Sequence, residues 1–142
     1  MRRVGPYRLA RRLRSGAAGD VFLAEDEDGH LWMSVWGNGV IRLDPATMEY
    51  AHFKHVVEDK RSLSSNVVLS VFQDSRERIW VGTSSGLNRF DRQRATFSRF
   101  VNDPADSLSL PNNSIHSIFE DPDGRIWIGH SFQGSGLTVF DK

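Results

Sequence analysis

The sequence predicts an all-β fold: a β-propeller segment of about three four-stranded antiparallel blades, the third lacking its outer strand. Three observations carry this reading. Trp32, Trp80 and Trp127 recur at steps of 48 and 47 residues. Around them stand three related phrases, GDVFLAEDEDGHLWMSVWGNGVIRLD (19–44), VVLSVFQDSRERIWVGTSSGLNRFD (67–91) and SIHSIFEDPDGRIWIGHSFQGSGLTVFD (114–141). Each phrase is a set of short apolar runs separated by turn residues, and at that period such a pattern marks propeller blades. Three blades are fewer than the roughly 4–8 that close a ring.

Four stretches follow in chain order: a basic segment at 1–18, then blades at 19–60, 61–106 and 107–142. In the first blade Asp28-Gly29 marks the hairpin turn, 31–33 (LWM) the second strand, 40–43 the third and 50–55 the outer strand. The second blade is the clearest. Residues 67–72 (VVLSVF) read as a strand buried on both faces. QDSRER (73–78) is a polar turn, and 79–81 (IWV) and 87–90 (LNRF) are the second and third strands. FSRFV (97–101) alternates over most of its length, as a half-exposed outer strand does. Residues 102–113 (NDPADSLSLPNN) form a turn-rich crossover. In the third blade SIHSIF (114–119), a Pro-Asp-Gly turn, RIWIG (125–129) and LTVF (137–140) repeat the order. The missing outer strand leaves an unpaired edge, and one hypothesis is that residues 6–13 (PYRLARRL) fill it as a closing strand.

The repeat assigns structural tasks to recurring residues. Asp26, Asp74 and Asp121 open the hairpins, where an Asp side chain bonds backbone amides; Gly124 supplies the positive φ of the third turn. With Glu77 in place of that glycine, the second hairpin is expected to use another geometry. Trp32, Trp80 and Trp127 supply apolar area between blades. Gly39, Gly86 and Gly136 lead into the third strands, which Asp44, Asp91 and Asp141 end. Gly82 and Gly129 follow the second strands, where the first blade has Ser34.

Composition narrows the function classes. The 142 residues carry 18 basic and 18 acidic side chains, so no overall field favours nucleic acid. No cysteine is present, which excludes thiol catalysis and cysteine-ligated zinc. No apolar run reaches the 18 or more residues of a membrane span, and the N-terminus lacks the apolar stretch of a signal peptide. Six arginines fall within residues 1–19, a density that reads as a solvated tail. Asp-x-Asp-Gly at 121–124 and EDEDG at 25–29 read as hairpin turns, because a calcium loop needs further oxygen ligands at set positions. The five histidines, His30, His52, His55, His116 and His130, show no metal-ligand spacing, so no metal or cofactor is expected.

Residues 62–91 and 109–141 resemble two-component regulator propeller repeats. Asn66 and Asn113, Ser70 and Ser117, the Ile-Trp-Val/Ile-Gly core and the Gly-Leu…Phe-Asp close carry the resemblance. DPDGRIW (121–127) is also similar to the Asp-box hairpin of sialidase and lectin propellers, a structural element there. The regulator resemblance implies a non-enzymatic sensor segment of a bacterial signal-transduction receptor, periplasmic in the parent family and responsive to carbohydrate. The implied partners are a small-molecule or oligosaccharide ligand and further propeller blades or self-association, with no nucleic acid. The compartment of this chain itself stays open. An interaction scaffold and a fragment without independent function are the alternatives. Loops enlarged after the second strands place Trp36 and Phe132 as candidate ligand contacts. VGPYRLARRLRSGAAGDVFLAED (4–26) resembles a serine/threonine kinase opening through Gly16, Gly19 and Val21. Arg14 replaces its first glycine, and no catalytic-loop or metal-binding motif follows, so kinase activity is not expected.

Overall fold

The computed structural model describes residues 26, 28–34, 37–130 and 136–140 in full, and the backbone of 3–4, 7–8, 21–25 and 35. The described residues form three antiparallel sheets. The first holds β1 (Arg3–Val4), β2 (Tyr7–Arg8), β3 (Val21–Glu25), β4 (Leu31–Val35), β5 (Val40–Leu43) and β6 (Tyr50–Phe53), in that order. The second holds β7 (Val68–Gln73), β8 (Ile79–Thr83), β9 (Gly86–Asp91) and β10 (Thr96–Phe100). The third holds β11 (Ile115–Glu120), β12 (Ile126–His130) and β13 (Leu137–Phe140).

Alternation decides which side chains meet. On β8, Ile79 and Val81 point to one face of the second sheet and Trp80 to the other. The Ile79–Val81 face packs with Phe90 and Phe97 against Trp32, Val40 and Phe53 of the first sheet. Trp32 stacks on Phe53 with ring centroids 6.0 Å apart and meets Phe90 edge-on at 5.0 Å. The Trp80 face packs with Leu87 and Phe100 against Ile126, Ile128 and Phe140 of the third sheet. Trp80 meets Phe140 at 5.7 Å and Phe100 at 6.0 Å. Two apolar layers therefore join three sheets, each with a tryptophan at its centre.

Three expectations are corrected. Tyr7–Arg8, the described part of the segment expected to complete the third sheet, pairs with β3 instead, Arg8 opposite Glu25. The first strand of the second sheet is not buried on both faces: Val68 and Gln73 are buried, and the residues between are half-buried. As an edge strand lying beside β11, β7 has a wholly packed neighbour on one side only. Beyond packing between sheets, Trp32 and Trp80 also donate to hairpin aspartates, as described below. The second hairpin has the same geometry as the others: Glu77 takes φ 63°, beside 82° at Gly29 and 79° at Gly124. The closing amide bonds match too, Glu77 N to Asp74 O at 3.0 Å and Gly124 N to Asp121 O at 2.9 Å.

Glu77 thus holds a left-handed conformation that costs an L side chain roughly 1–2 kcal/mol, partly offset by the larger unfolded-state entropy of glycine. Glu77→Gly is expected to raise stability by about 0.5–1 kcal/mol, read as a higher urea midpoint at unchanged slope. An unchanged or lower midpoint would show that the strain is relieved elsewhere.

Glycine is required at Gly39 for a different reason. Its φ is 76°, and a Cβ there would stand 2.2 Å from the Phe53 carbonyl oxygen. At Gly82 and Gly129 the Cβ space is taken by Ser70 Oγ and Ser117 Oγ, each 2.3 Å away. The serines lie opposite those glycines in the ladder, so the second and third repeats each pair a small residue with a small residue, whereas the first sets Phe22 opposite Ser34.

Candidate functional site

The sheets present two unlike ends. One end carries the hairpins that join first and second strands. There a single carboxylate organises each turn. Asp74 Oδ1 accepts the backbone amides of Arg76 (3.0 Å) and Arg78 (2.9 Å), and Oδ2 accepts Trp80 Nε1 (2.8 Å) and Arg78 Nε (2.6 Å). Asp26 Oδ1 accepts the amides of Asp28 and His30, and its Oδ2 accepts Trp32 Nε1 at 2.8 Å. Asp121 repeats the set with Asp123, Arg125 and Trp127, again at 2.8 Å to the indole. The Trp127 hydrogen bond, followed by the Arg125 amide, holds the Asp121 carboxyl below the usual Asp range. The hairpin aspartate therefore pins the interface tryptophan six residues on, so turn and core form one unit.

Asp26, Asp28 and His30 offer three metal-type ligand atoms within 4.8 Å of one another. Both Asp26 oxygens are engaged as above, and Asp28 Oδ2 accepts Arg92 Nη1 at 2.6 Å. This is a structural turn braced to the neighbouring sheet. Ser75 braces the second hairpin to the third sheet in a similar way, through its amide and hydroxyl on Glu120, both at 2.7 Å. The third-strand aspartates lie at this end as well. Asp44 Oδ1 caps the Ala46 amide at 2.8 Å and Asp91 Oδ1 the Gln93 amide at 2.9 Å. The Ala46 amide keeps the Asp44 carboxyl low, and the Arg94 side chain does so for Asp91.

The other end gathers the loops after the second strands and the crossovers between sheets. The crossovers are built alike at a step of 47 residues. Ser62 Oγ accepts the Val56 amide and Ser109 Oγ the Asp103 amide, each at 2.8 Å. Asn66 Oδ1 accepts the His55 amide at 2.7 Å and Asn113 Oδ1 the Asn102 amide at 2.6 Å. Leu63 and Leu110, 0% and 2% exposed, anchor the two crossovers in the core. Arg99 on β10 ties the first crossover down through the carbonyls of Asp59, Ser62 and Leu63 at 2.8–3.0 Å. Asn66 and Asn113 carried the family resemblance without an assigned task, and Ser62, Ser109, Leu63, Leu110 and Arg99 were missed. The 47-residue step already relates the serines, leucines and asparagines in pairs, whereas Arg99 has no such mark.

The tips of these segments meet. Gly39 N donates to Asn66 O at 2.9 Å, Ser84 N to Val67 O at 3.0 Å, and Ser65 Oγ lies 3.1 Å from Ser84 Oγ. Buried Asn88 holds the rim from below, accepting the Ser64 amide on Oδ1 and donating from Nδ2 to Ser64 Oγ and Val81 O. Residues 37–39, 64–67, 83–86 and 111–114 contain no charged side chain; they offer hydroxyls, amides and backbone. Asn38, Ser84 and Ser85 are exposed on this rim. His130, at the start of the loop after β12, has its pKa lowered by burial, so it adds no charge near neutral pH. Trp36 and Phe132, the expected ligand contacts, and Asp141 lie outside the described residues.

Residues 62–85 and 109–132 match the family described as two component regulator propeller. Histidine kinase P4 of Formosa agariphila is 37% identical over 67 residues, which is 47% of this chain and 5% of that protein. The extracellular domain of the hybrid two component system BT3049 from B. thetaiotaomicron superposes with a TM-score of 0.69 at 19% identity, over 90% of this chain and 19% of that one. The extracellular domain of BT4673 from the same organism gives 0.66 at 22% identity, over 89% of this chain and 16% of that one. At these identities the solved structures establish the fold. This chain spans about a fifth or less of their length.

Proposed function

We propose that this chain, whose residues 62–85 and 109–132 match the two component regulator propeller family, is the ligand-sensing segment of a bacterial signal-transduction receptor. It acts outside the inner membrane and performs no catalysis. The ligand is a carbohydrate. The uncharged rim formed by Asn38, Ser65, Ser84 and Ser85 carries this reading. A neutral polyhydroxylated ligand matches such a rim, because each sugar hydroxyl both donates and accepts and no buried charge is left without a partner. A phosphate or carboxylate ligand calls for Arg or Lys at the contact, and the rim has neither. Trp36 and Phe132, placed by the sequence in loops at this end, would supply apolar faces for sugar rings. Ligand bound here bridges loops from adjacent sheets, so it favours one relative placement of the blades, and an output domain reads that shift.

Calorimetric titration with neutral oligosaccharides tests the assignment. Saturable 1:1 binding is expected, weakened about fivefold by Asn38→Ala and again by Ser85→Ala, from roughly 1 kcal/mol per lost hydrogen bond. Absence of binding to any neutral glycan, with binding to an anionic ligand instead, would overturn the carbohydrate assignment.

A further inference from the structure

The two sheet interfaces follow one rule. The tryptophan face of one sheet is covered by the opposite face of the next. Trp32 is covered by the Ile79–Val81 face of the second sheet, and Trp80 by the Ile126–Ile128 face of the third. The third sheet has a tryptophan face too. Phe119 stands opposite Trp127, and Trp127 opposite Val139, on one side of the sheet. Among the described residues nothing lies over that face. Phe119 is 61% exposed, Val139 43% and Leu137 62%, whereas Trp80 at the equivalent centre is 0% exposed.

The first sheet has the complementary feature. Stepping back 48 residues from Ile79 and Val81 gives Leu31 and Met33; stepping back 47 from Phe90 and Phe97 gives Leu43 and Tyr50. These four positions, which receive a tryptophan face in the second sheet, are all apolar or aromatic in the first. Among the described residues no preceding sheet covers it: Leu31, Met33 and Leu43 are half-buried, and Tyr50 is 69% exposed.

We propose that the Trp127 face of the third sheet docks on the Leu31–Met33 face of the first sheet of a second copy of this chain. The contact is head to tail and continues the blade-on-blade packing already present twice within one molecule. Both internal interfaces join a tryptophan face to a face without tryptophan. That rule selects a heterologous contact over the pairing of two Trp127 faces with each other. The faces also match in chemistry, with aromatic and aliphatic side chains on both sides and no formal charge at Phe119, Trp127, Leu137 or Val139.

Light scattering after size exclusion, over a series of concentrations, tests this with the full chain and two variants. Phe119→Glu removes the donor face and Tyr50→Glu the receiving face; both sites are more than half exposed, and circular dichroism confirms that each variant is folded. Where Phe119→Glu disturbs the sheet, Leu137→Glu replaces it. The unmodified chain is expected to self-associate, and each variant alone to lose association at least tenfold. An equimolar mixture of the two is expected to form a 1:1 dimer, because one complementary pair of faces survives. A monomeric unmodified chain overturns the proposal. So does a Tyr50→Glu chain that still dimerises, which would mean Trp127 faces pair with each other, or a mixture that stays monomeric. Glycan binding does not enter this readout, so it stands or falls apart from the sensing assignment.

Discussion

Replacing Asp74 with alanine is expected to lower stability by about 3–5 kcal/mol, among the largest effects of any single polar residue in this chain. The Asp74 side chain is 0% exposed and receives four donors: two backbone amides, an indole and a guanidinium. Alanine leaves Trp80 Nε1 buried without an acceptor and unties the Arg76 and Arg78 amides at once. Arg78, 22% exposed at its side chain, also loses its carboxylate. Asp74→Asn separates these contributions. Its carbonyl can still accept the two amides, but its NH2 then faces two donors, so a loss of about 2 kcal/mol is expected. Chemical denaturation measures both as shifts in midpoint at constant slope. Equal losses for alanine and asparagine would show that the backbone bonds of the turn contribute nothing beyond the indole and guanidinium contacts.

The second large effect is expected at Trp80. Trp80→Ala should destabilise by about 3–5 kcal/mol, since it empties the centre of the layer between the second and third sheets. The indole meets Phe100 and Phe140, with the Arg78 guanidinium 5.2 Å from the ring centroid. The loss should be uneven along the chain. Amide hydrogen exchange in β11–β13 is expected to accelerate most, because Ile126, Ile128 and Phe140 lose their packing partner there, while the Trp32 layer is untouched. Trp80→Phe keeps much of the apolar area but removes one donor from Asp74. Its loss should be about 1–2 kcal/mol and should not add to that of Asp74→Ala, because both changes delete the same bond. Strict additivity of the two would mean that the indole–carboxylate contact is energetically idle. Trp127→Ala should cost less than Trp80→Ala, for among the described residues no further sheet lies over Trp127.

Much of the fold is legible in the sequence because its signals are local or periodic. The runs around Ile79 and Ile126, the Asp-Gly and Pro-Asp-Gly turns and the 47-residue step each act within a few residues or repeat outright, so β7 to β13 fall within one or two residues of where the sequence places them. Glu77 shows the limit of residue-type rules. Type alone argues against a left-handed turn, yet the Asp74 carboxylate and the paired strands hold that geometry. Tyr7–Arg8 shows another. A strand-like segment does not carry the address of its partner, and it lies beside β3 rather than at the edge of the third sheet.

The candidate site divides in the same way. Small polar residues near positions 38, 65, 84 and 113 are visible in the sequence, but not that Gly39 reaches Asn66 or that Ser65 meets Ser84 across the rim. Sequence by itself determined the period, the three-sheet division, the hairpin aspartates and the tryptophan at each blade's centre, because each depends on neighbours close in the chain or on repetition. Only the tertiary structure decided that those aspartates bond those tryptophans. It also decided that two crossovers are clamped by Ser62 and Ser109, that the loops converge on an uncharged rim, and that one tryptophan face stands uncovered among the described residues. Those facts depend on which residues the sheets bring together as they stack, and the burial that rewards such meetings exists only once the layers have closed.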